Sequence, residues 1–458
     1  MYPSPSMRAL IIVLFTTSCA TTELRSIERM EPAAELARRD VPTCPSCAKD
    51  EVRTPAPDPA RTRKVNLAQL LAYAEQHAPS LVLARSQRAL AQARVNGAGR
   101  LLPANPRLET AFGPRVASAG SAFDFEVSLS QEFEIAGQRG LRRQAAKRYA
   151  ELVEQRIAQA RWQARLQIAM AYGNTVVTRE RQRIASEQVA FSKELVRAAK
   201  RRLKAGDISP LQLKLAEMEV EQAGQSEISV RGAYARARIQ LAAVSGWPTA
   251  TPPEPRGHCR HLQTLPPWKA LLERSRTEDP TLAARRKAVD EARARVATEG
   301  RVGWPNPAIG LSYAREGDPG GVEGAVHVGS LTLGIDLPLW RRNFKGRATA
   351  QADLAVAKVQ LEVYSRRMEG RLRAALSAVK VAARRVAHFG DRILPRYRES
   401  LHLLRRSFEL GEVDLLQVFV ARGRLITGQL NFIEAKASHC RALLELESLV
   451  GSVVKTKE

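Results

Sequence analysis

The chain repeats itself, and that constrains its fold more than any other feature. Pro79-Ser80-Leu81 recurs as Pro280-Thr281-Leu282, and Asn105-Pro106 recurs as Asn306-Pro307, at one and the same offset. Gly206-Asp207-Ile208-Ser209-Pro210-Leu211-Gln212 recurs as Gly411-Glu412-Val413-Asp414-Leu415-Leu416-Gln417, and Val244-Ser245-Gly246 matches Leu449-Val450-Gly451, at an offset only slightly larger. The order of the motifs is kept. A unit of about two hundred residues is far too long for a solenoid repeat. The chain is therefore expected to fold as two copies of one sizeable unit, at 66–246 and 268–451. A proline-rich segment at 20–65 precedes the first copy. A second, at 247–267, connects the two, and a short tail, 452–458, follows.

Each copy reads the same way. A first helix is expected from about Leu67 to Gly97, and its counterpart from Trp268 to Gly300. Pro103-Ala104-Asn105-Pro106 and Trp304-Pro305-Asn306-Pro307 end these helices, because proline cannot continue a helix and biases its predecessor to extended geometry. Extended stretches follow. Phe123, Phe125, Val127 and Leu129 alternate with Asp124, Glu126, Ser128 and Ser130; Leu331, Leu333, Ile335 and Leu337 alternate with Thr332, Gly334 and Asp336. Period two with polar alternates gives one apolar and one wet face. A strand between lipid and a polar lumen needs that pattern, although a sheet packed on a soluble core shows it too. Partner strands are expected near Arg107–Phe112 and Ala308–Tyr313, with Gly- and Ser-rich loops at 113–120 and 316–324.

Very long helices come next. The stretch from Leu141 to Ala205 holds no proline and one glycine, Gly173. At ~1.5 Å per residue it would reach about 100 Å. Arg347 to Leu410 is similar, with a bend expected at Gly390 and Pro395. Apolar residues recur at helical spacing, so these helices need neighbours and a coiled-coil-like wall is expected. The wall turns sharply at Gly206 and Gly411, each placed where a helix end wants a left-handed residue. Ser209 and Asp414 then read as N-caps, with Gln212 and Gln417 at N3. The returning helices, 210–245 and 415–450, are shorter than their partners, and the first helix of each copy is the candidate to complete the wall.

Composition decides between function classes. Lys and Arg number 72 against 47 Asp and Glu, a net charge of +25. The basic residues interleave with Glu and Ala along the helical stretches, as solvated helix faces do. Aromatics are 5% of residues, thin for base stacking. No nucleic-acid partner is expected. No phosphate loop, dinucleotide glycine pattern or paired zinc spacing occurs, so neither an enzyme nor a cofactor is expected. Cys44-x-x-Cys47 reads as a disulfide or idle thiols, His258-Cys259-x-His261 as incidental surface residues, and Cys440 as a small packed residue. No apolar run is long enough for a membrane helix, which leaves a β-barrel open. At the N-terminus, Met7-Arg8 precedes an apolar Ala9–Phe15 and then Thr16-Thr17-Ser18-Cys19, so 1–19 reads as a secretory signal.

Taken together, the duplication, the Asn-Pro before the first strand and the paired glycine turns followed by Leu211-Gln212 and Leu416-Gln417 resemble the TolC-type outer membrane factors over residues 66–451. Glu134-Ile135-Ala136-Gly137-Gln138-Arg139-Gly140 with Arg142 resembles the cobalt-zinc-cadmium resistance subgroup. The resemblance implies a mainly α chain with a small transmembrane β part. Its four strands would join those of two other copies in a trimeric twelve-stranded barrel, continued by a periplasmic helical tunnel. It implies a passive exit duct in the outer membrane, partnered by a periplasmic adaptor (membrane fusion) protein and an inner-membrane pump of the resistance-nodulation-division type, with heavy-metal cations as cargo. Gly206, Asp207, Ile208, Ser209 and Leu211, with Gly411, Glu412, Val413, Asp414 and Leu416, would form the docking tips. Cys19 would be the lipidated first residue of the mature chain, followed by Ala20, which favours outer-membrane sorting. An ordinary cleaved signal is the alternative there. Some relatives carry an entrance ring of acidic residues just past the second tip; here that stretch is Gln417-Val418-Phe419-Val420, leaving Glu412 and Asp414 for the role. The competing reading is a soluble periplasmic coiled-coil scaffold without channel activity.

Overall fold

The computed structural model describes residues 57–59, 63–102, 104–258, 265–319, 324–340 and 342–454. The signal segment, Cys19, Cys44, Cys47, Cys259 and His261 lie outside the described residues. A short strand β1 (Lys64–Val65) leads into the first copy: α1 (Leu67–His77), α2 (Pro79–Ala98), β2 (Arg107–Ala117), β3 (Gly120–Glu132), α3 (Gln138–Lys204) and α4 (Pro210–Ser245). Strand β4 (Glu254–Pro255) lies in the connector and pairs in parallel with β1, so both proline-rich segments contribute to a small two-stranded clasp. The second copy holds α5 (Trp268–Glu278), α6 (Pro280–Val302), β5 (Pro307–Glu316), β6 (Val326–Ile335), α7 (Phe344–His388), α8 (Leu394–Glu409) and α9 (Leu415–Val450).

The first helix of each copy is not continuous as expected. It breaks at Ala78 and at Asp279, both extended, because Pro79 and Pro280 stand at the next helix's N1 and push their predecessors out of the helical region. The corner this makes is occupied. Gly246, at φ 75°, lies so close that a Cβ there would be 2.0 Å from the His77 carbonyl oxygen; at Gly451, φ 80°, it would be 2.4 Å from that of Glu278. Two motifs that recur separately in the sequence are thus one contact, made twice.

The sheet is longer on one side than expected. Gly113 and Pro114, expected in a loop, belong to β2, and the turn shrinks to Ser118-Ala119 before Gly120. Proline is tolerated there because β2 is an edge strand and need not donate outward. Strand β6 starts earlier than expected and ends at Ile335, short of Leu337. All four strands pair antiparallel in the order β2-β3-β5-β6, so one hairpin from each copy meets across β3 and β5. The bend expected near Gly390 is a π-helical turn, Phe389–Ile393, between α7 and α8. Pro395 follows it, and a Cβ on Gly390 would meet the Phe432 ring at 3.2 Å.

The helices form the expected wall. α3 packs against α4 toward one end and against α2 and α6 toward the other, while α6 also packs on α7 and α9 packs on α7, α8 and α3. The first helices do complete the wall, as expected. Leu70, Ile168, Tyr172, Leu241 and Trp247 make one core in the first copy; Leu271, Leu372, Leu443 and Leu446 make its counterpart. Val177 and Ile184 of α3 meet Ile433 and Ala437 of α9, joining the copies. Cys440, expected as a small packed thiol, is buried and disulfide-bonded, its partner lying outside the described residues.

Candidate functional site

The two hairpin tips stand side by side at the end of the wall farthest from the sheet in sequence order. Both helices end in the same motif. The Asp207 amide donates to the Arg202 carbonyl (2.9 Å) and the Gly206 amide to Leu203 (3.0 Å); Glu412 donates to Ser407 (2.9 Å) and Gly411 to Phe408 (3.1 Å). These are paired Schellman closures, which need a left-handed residue, and Gly206 and Gly411 supply it at φ 83° and 85°. Ser209 and Gln212 form the expected capping box, with the Gln212 amide donating to Ser209 Oγ (3.3 Å) and the Ser209 amide to Gln212 Oε1 (3.1 Å).

The second tip differs from its twin. Asp414 occupies the N-cap but makes no capping bond with its side chain. It accepts instead from Gln212 Nε2 of the first tip at 2.8 Å. Arg202 reaches across the other way. Its Nη1 donates to the Phe408 carbonyl (3.2 Å), its guanidinium lies 4.8 Å over the Phe408 ring, and its Nε faces the Asp207 carboxylate at 3.7 Å. Ile208 is buried in one core with Ala216, Leu401, Phe408 and Val418. Val413 is half-buried on the same core, whereas Leu211, Leu410 and Leu416 are 68%, 68% and 62% exposed. The structure thus gathers all ten tip residues in one place and divides them. Ile208 and Val413 hold the tips together, and Asp207, Leu211, Glu412 and Leu416 face outward. Val418, next to the expected entrance position, is fully buried and faces the core.

The junction between sheet and helices explains the Glu134–Arg142 motif. The Glu134 carboxylate accepts from Arg142 Nη1, and Arg142 Nη2 donates to the Arg100 carbonyl (3.4 Å). Gly137, at φ 75°, turns the chain into α3. Buried Gln138 accepts from the Ala136 amide (2.8 Å) and donates to Asn306 Oδ1 of the other copy (3.0 Å). Arg139 Nε donates to the Gly99 carbonyl (3.1 Å). The second copy reaches the same turn with Asn343, the only non-glycine with positive φ among the described residues. Its Nδ2 donates to Glu299 Oε2 at 2.7 Å and to the Glu299 carbonyl at 3.0 Å. Sequence reasoning missed Asn343; asparagine's tolerance of the left-handed region was the one signal.

In the sheet, the pairing register sorts residues by face. Leu108 opposes Leu129, which opposes Leu311, which opposes Leu331. Phe112, Phe125, Ile309 and Leu333 lie on that same face, and all are exposed. The other face carries Glu109, Ser128, Ser312 and Ser330. Among the described residues no element covers the apolar side, and the outer edges of β2 and β6 have no strand partner. An uncovered apolar sheet of this extent fits lipid, and its open edges need further strands. Among the described residues no group of three or more side chains could hold a metal ion, and no helix is long and apolar enough to cross a membrane.

The sequence matches the family described as Outer membrane efflux protein over residues 70–247 and 271–452. It is 25% identical over 360 residues to the cobalt-zinc-cadmium resistance protein CzcC of Cupriavidus metallidurans, covering 77% of this chain and 82% of that protein. It is 27% identical over 283 residues to the nickel-cobalt-cadmium resistance protein NccC of Alcaligenes xylosoxydans xylosoxydans, covering 60% of this chain and 62% of that protein. In fold it is similar to the CmeC outer membrane channel of Campylobacter jejuni, with a TM-score of 0.68 at 15% identity, over 86% of this chain and 87% of that one.

Proposed function

The chain belongs to the outer membrane efflux protein family, and from that premise we propose that three copies close one duct, which docks a periplasmic adaptor at its hairpin tips and passes heavy-metal cations. The protein is an efflux duct of the outer membrane that extends into the periplasm, and the soluble scaffold reading falls away. The family is one of channels rather than enzymes. It works with an adaptor and an inner-membrane pump; the resistance-nodulation-division type of pump is our proposal. The observation that carries the trimer is the sheet. Four strands with two open edges are too few to close, membrane barrels begin at about eight, and three copies give twelve. The metal cargo is supported by the names of the two resistance proteins the chain is similar to. Lipidation of Cys19 belongs to the same proposal and would add a second anchor to the barrel.

The tips supply the test of docking. Nothing lies within 4 Å of a Cβ built on Gly206, and on Gly411 only Arg202 Nη2 comes near, at 3.6 Å. Bulky replacements at both positions therefore disturb the docking surface more than the core. Gly206→Trp with Gly411→Trp should leave detergent-extracted trimers in the outer membrane while metal export by whole cells is lost. Wild-type export by that variant would end the docking proposal, and a monomer in detergent would end the trimer.

A further inference from the structure

The strands β2, β3, β5 and β6 hold three arginines and no lysine. Two of the arginines lie on the polar face and are paired there. Arg107 meets Glu109 at 2.5 Å, and Arg115 bridges Asp124 and Glu316, each at 2.8 Å. The third, Arg315, is on the other face. The register sets it between Phe125 and His327, on the side that carries Leu108, Leu129, Leu311 and Leu331. It is exposed, and its guanidinium has no ion pair or hydrogen bond among the described residues. The acid next to it in sequence, Glu316, falls on the polar face and is taken by Arg115. The polar atoms nearest in register are taken as well. The Tyr313 hydroxyl and His327 Nδ1 lie 2.7 Å apart with their rings stacked. An arginine on an apolar surface, with every nearby acid on the far side of the sheet, needs an anion from outside the chain.

Depth decides what such a cation meets. Strand β5 runs outward from Pro307, at the helix end of the sheet, to Arg315 near its far end. At ~3.4 Å per residue and a tilt of ~40° that stretch crosses about 20 Å of membrane. Trp304 stands just before Pro307 and is 53% exposed, so Trp304 and Arg315 bracket an apolar band close to the ~25 Å of a membrane barrel. A cation is costly at the membrane centre and cheap at the interface, where water and phosphate meet it. Arginine suits the second place. Its apolar stem lies along the surface, and its planar fork grips a phosphate through two parallel hydrogen bonds. We propose that Arg315 binds a phosphate group of the outer-leaflet lipid and so fixes the depth of the sheet. The Tyr313–His327 pair beside it is the polar-tipped aromatic border of the apolar band. The inference goes beyond the duct reading and rests only on the sheet lying in the outer membrane.

The test is native mass spectrometry of the detergent-solubilised full-length protein, titrated with diphosphoryl lipid A or with the same glycolipid stripped of both phosphates. The wild type should bind the phosphorylated form about tenfold more tightly or better. Arg315→Gln should abolish that preference, and Arg315→Lys, which keeps a cation on a similar stem, should retain part of it. Inorganic phosphate added in excess should leave the lipid bound; displacement would make this a site for free anions and overturn the lipid reading. A wild type that takes both lipids equally overturns the inference and leaves the duct standing. So does an R315Q protein that keeps the full preference, or an R315K protein that loses it as completely as R315Q. An R315Q chain that extracts as a monomer beside a wild-type trimer overturns it too, since the arginine would then hold a neighbouring copy. A wild-type chain that stays soluble without detergent removes the membrane sheet, and the duct reading with it.

Discussion

Gly246 and Gly206 have nearly the same backbone, φ 75° and 83°, yet the fold asks different things of them. A left-handed non-glycine costs about 1–2 kcal/mol by itself. At Gly206 that is the whole demand, since a Cβ there meets open space. At Gly246 a Cβ would also strike the His77 carbonyl at 2.0 Å and the Ala78 amide nitrogen at 3.1 Å, so the α1–α2 corner must move off α4. Overpacking of that kind adds about 1–3 kcal/mol. Gly246→Ala should therefore lower the thermal midpoint of the detergent-solubilised protein well below that of Gly206→Ala; equal losses would mean that strain alone decides. Both glycines were legible in the sequence as repeated motifs. The reason for Gly246 was not, because its partner corner lies more than 160 residues away and no local pattern announces it. Asn343 was hidden for a similar cause. Its left-handed turn is held by Glu299, which belongs to another helix.

At the scale of elements, the two copies are joined along α3, and one of the joints senses acid. The Glu151 carboxylate on α3 accepts from Lys287 Nζ on α6 at 2.7 Å and from Arg148 Nη1 at 3.0 Å. The Lys287 bond, more than the Arg148 bond, holds its carboxyl below the ordinary carboxylate range, against a smaller opposing effect of burial. A carboxyl whose folded pKa is depressed adds stability above its unfolded pKa, about 4.3, and loses it as pH falls through the folded value. Both side chains are partly exposed, so the joint is worth about 0.2–1 kcal/mol. Lys287→Met should reduce stability by that amount at pH 7 and by progressively less as the pH falls below the unfolded carboxylate pKa, read from thermal midpoints across the acid range; a pH-independent loss would assign the effect to packing. Pairings between elements were the least legible part of the fold. The alternation of Phe123 to Leu129 revealed a strand, and Gly206 and Gly411 revealed the turns, because these signals are local. The clasp of β1 on β4 was not legible, since two residues on each side carry no periodicity. Helix continuity was overread at Pro79 and Pro280, where a proline that suits a helix's first turn started a new helix instead.

At the scale of the molecule, the sheet must sit in a membrane while the helices stay wet, and the boundary should be marked by aromatic rings. Strands of 10 to 13 residues match the ~9–11 that a tilted membrane strand needs, so the apolar band spans nearly the full length of the sheet. Trp304 precedes β5 and Trp340 follows β6, both at the end where the strands meet the helices, and they are 53% and 87% exposed. No core among the described residues takes them, and Leu339, next to Trp340 in sequence, and Phe133, whose amide donates to the Pro307 carbonyl at the same end of the sheet, are exposed too. Trp247, by contrast, is 2% exposed within the core of the first copy, stacked at a tilt against Tyr73 with ring centroids 4.8 Å apart. Five tryptophans make this boundary measurable. In variants that keep a single tryptophan, reconstituted into vesicles of lipid brominated near the headgroup, Trp340 and Trp304 should be strongly quenched and Trp247 left bright. Bromines placed deep in the acyl chains should quench both interfacial rings less. If Trp247 were quenched as strongly as Trp340, the lipid would reach the helical wall, and the division of the chain into a membrane sheet and a periplasmic tunnel would have to move toward the first-copy core.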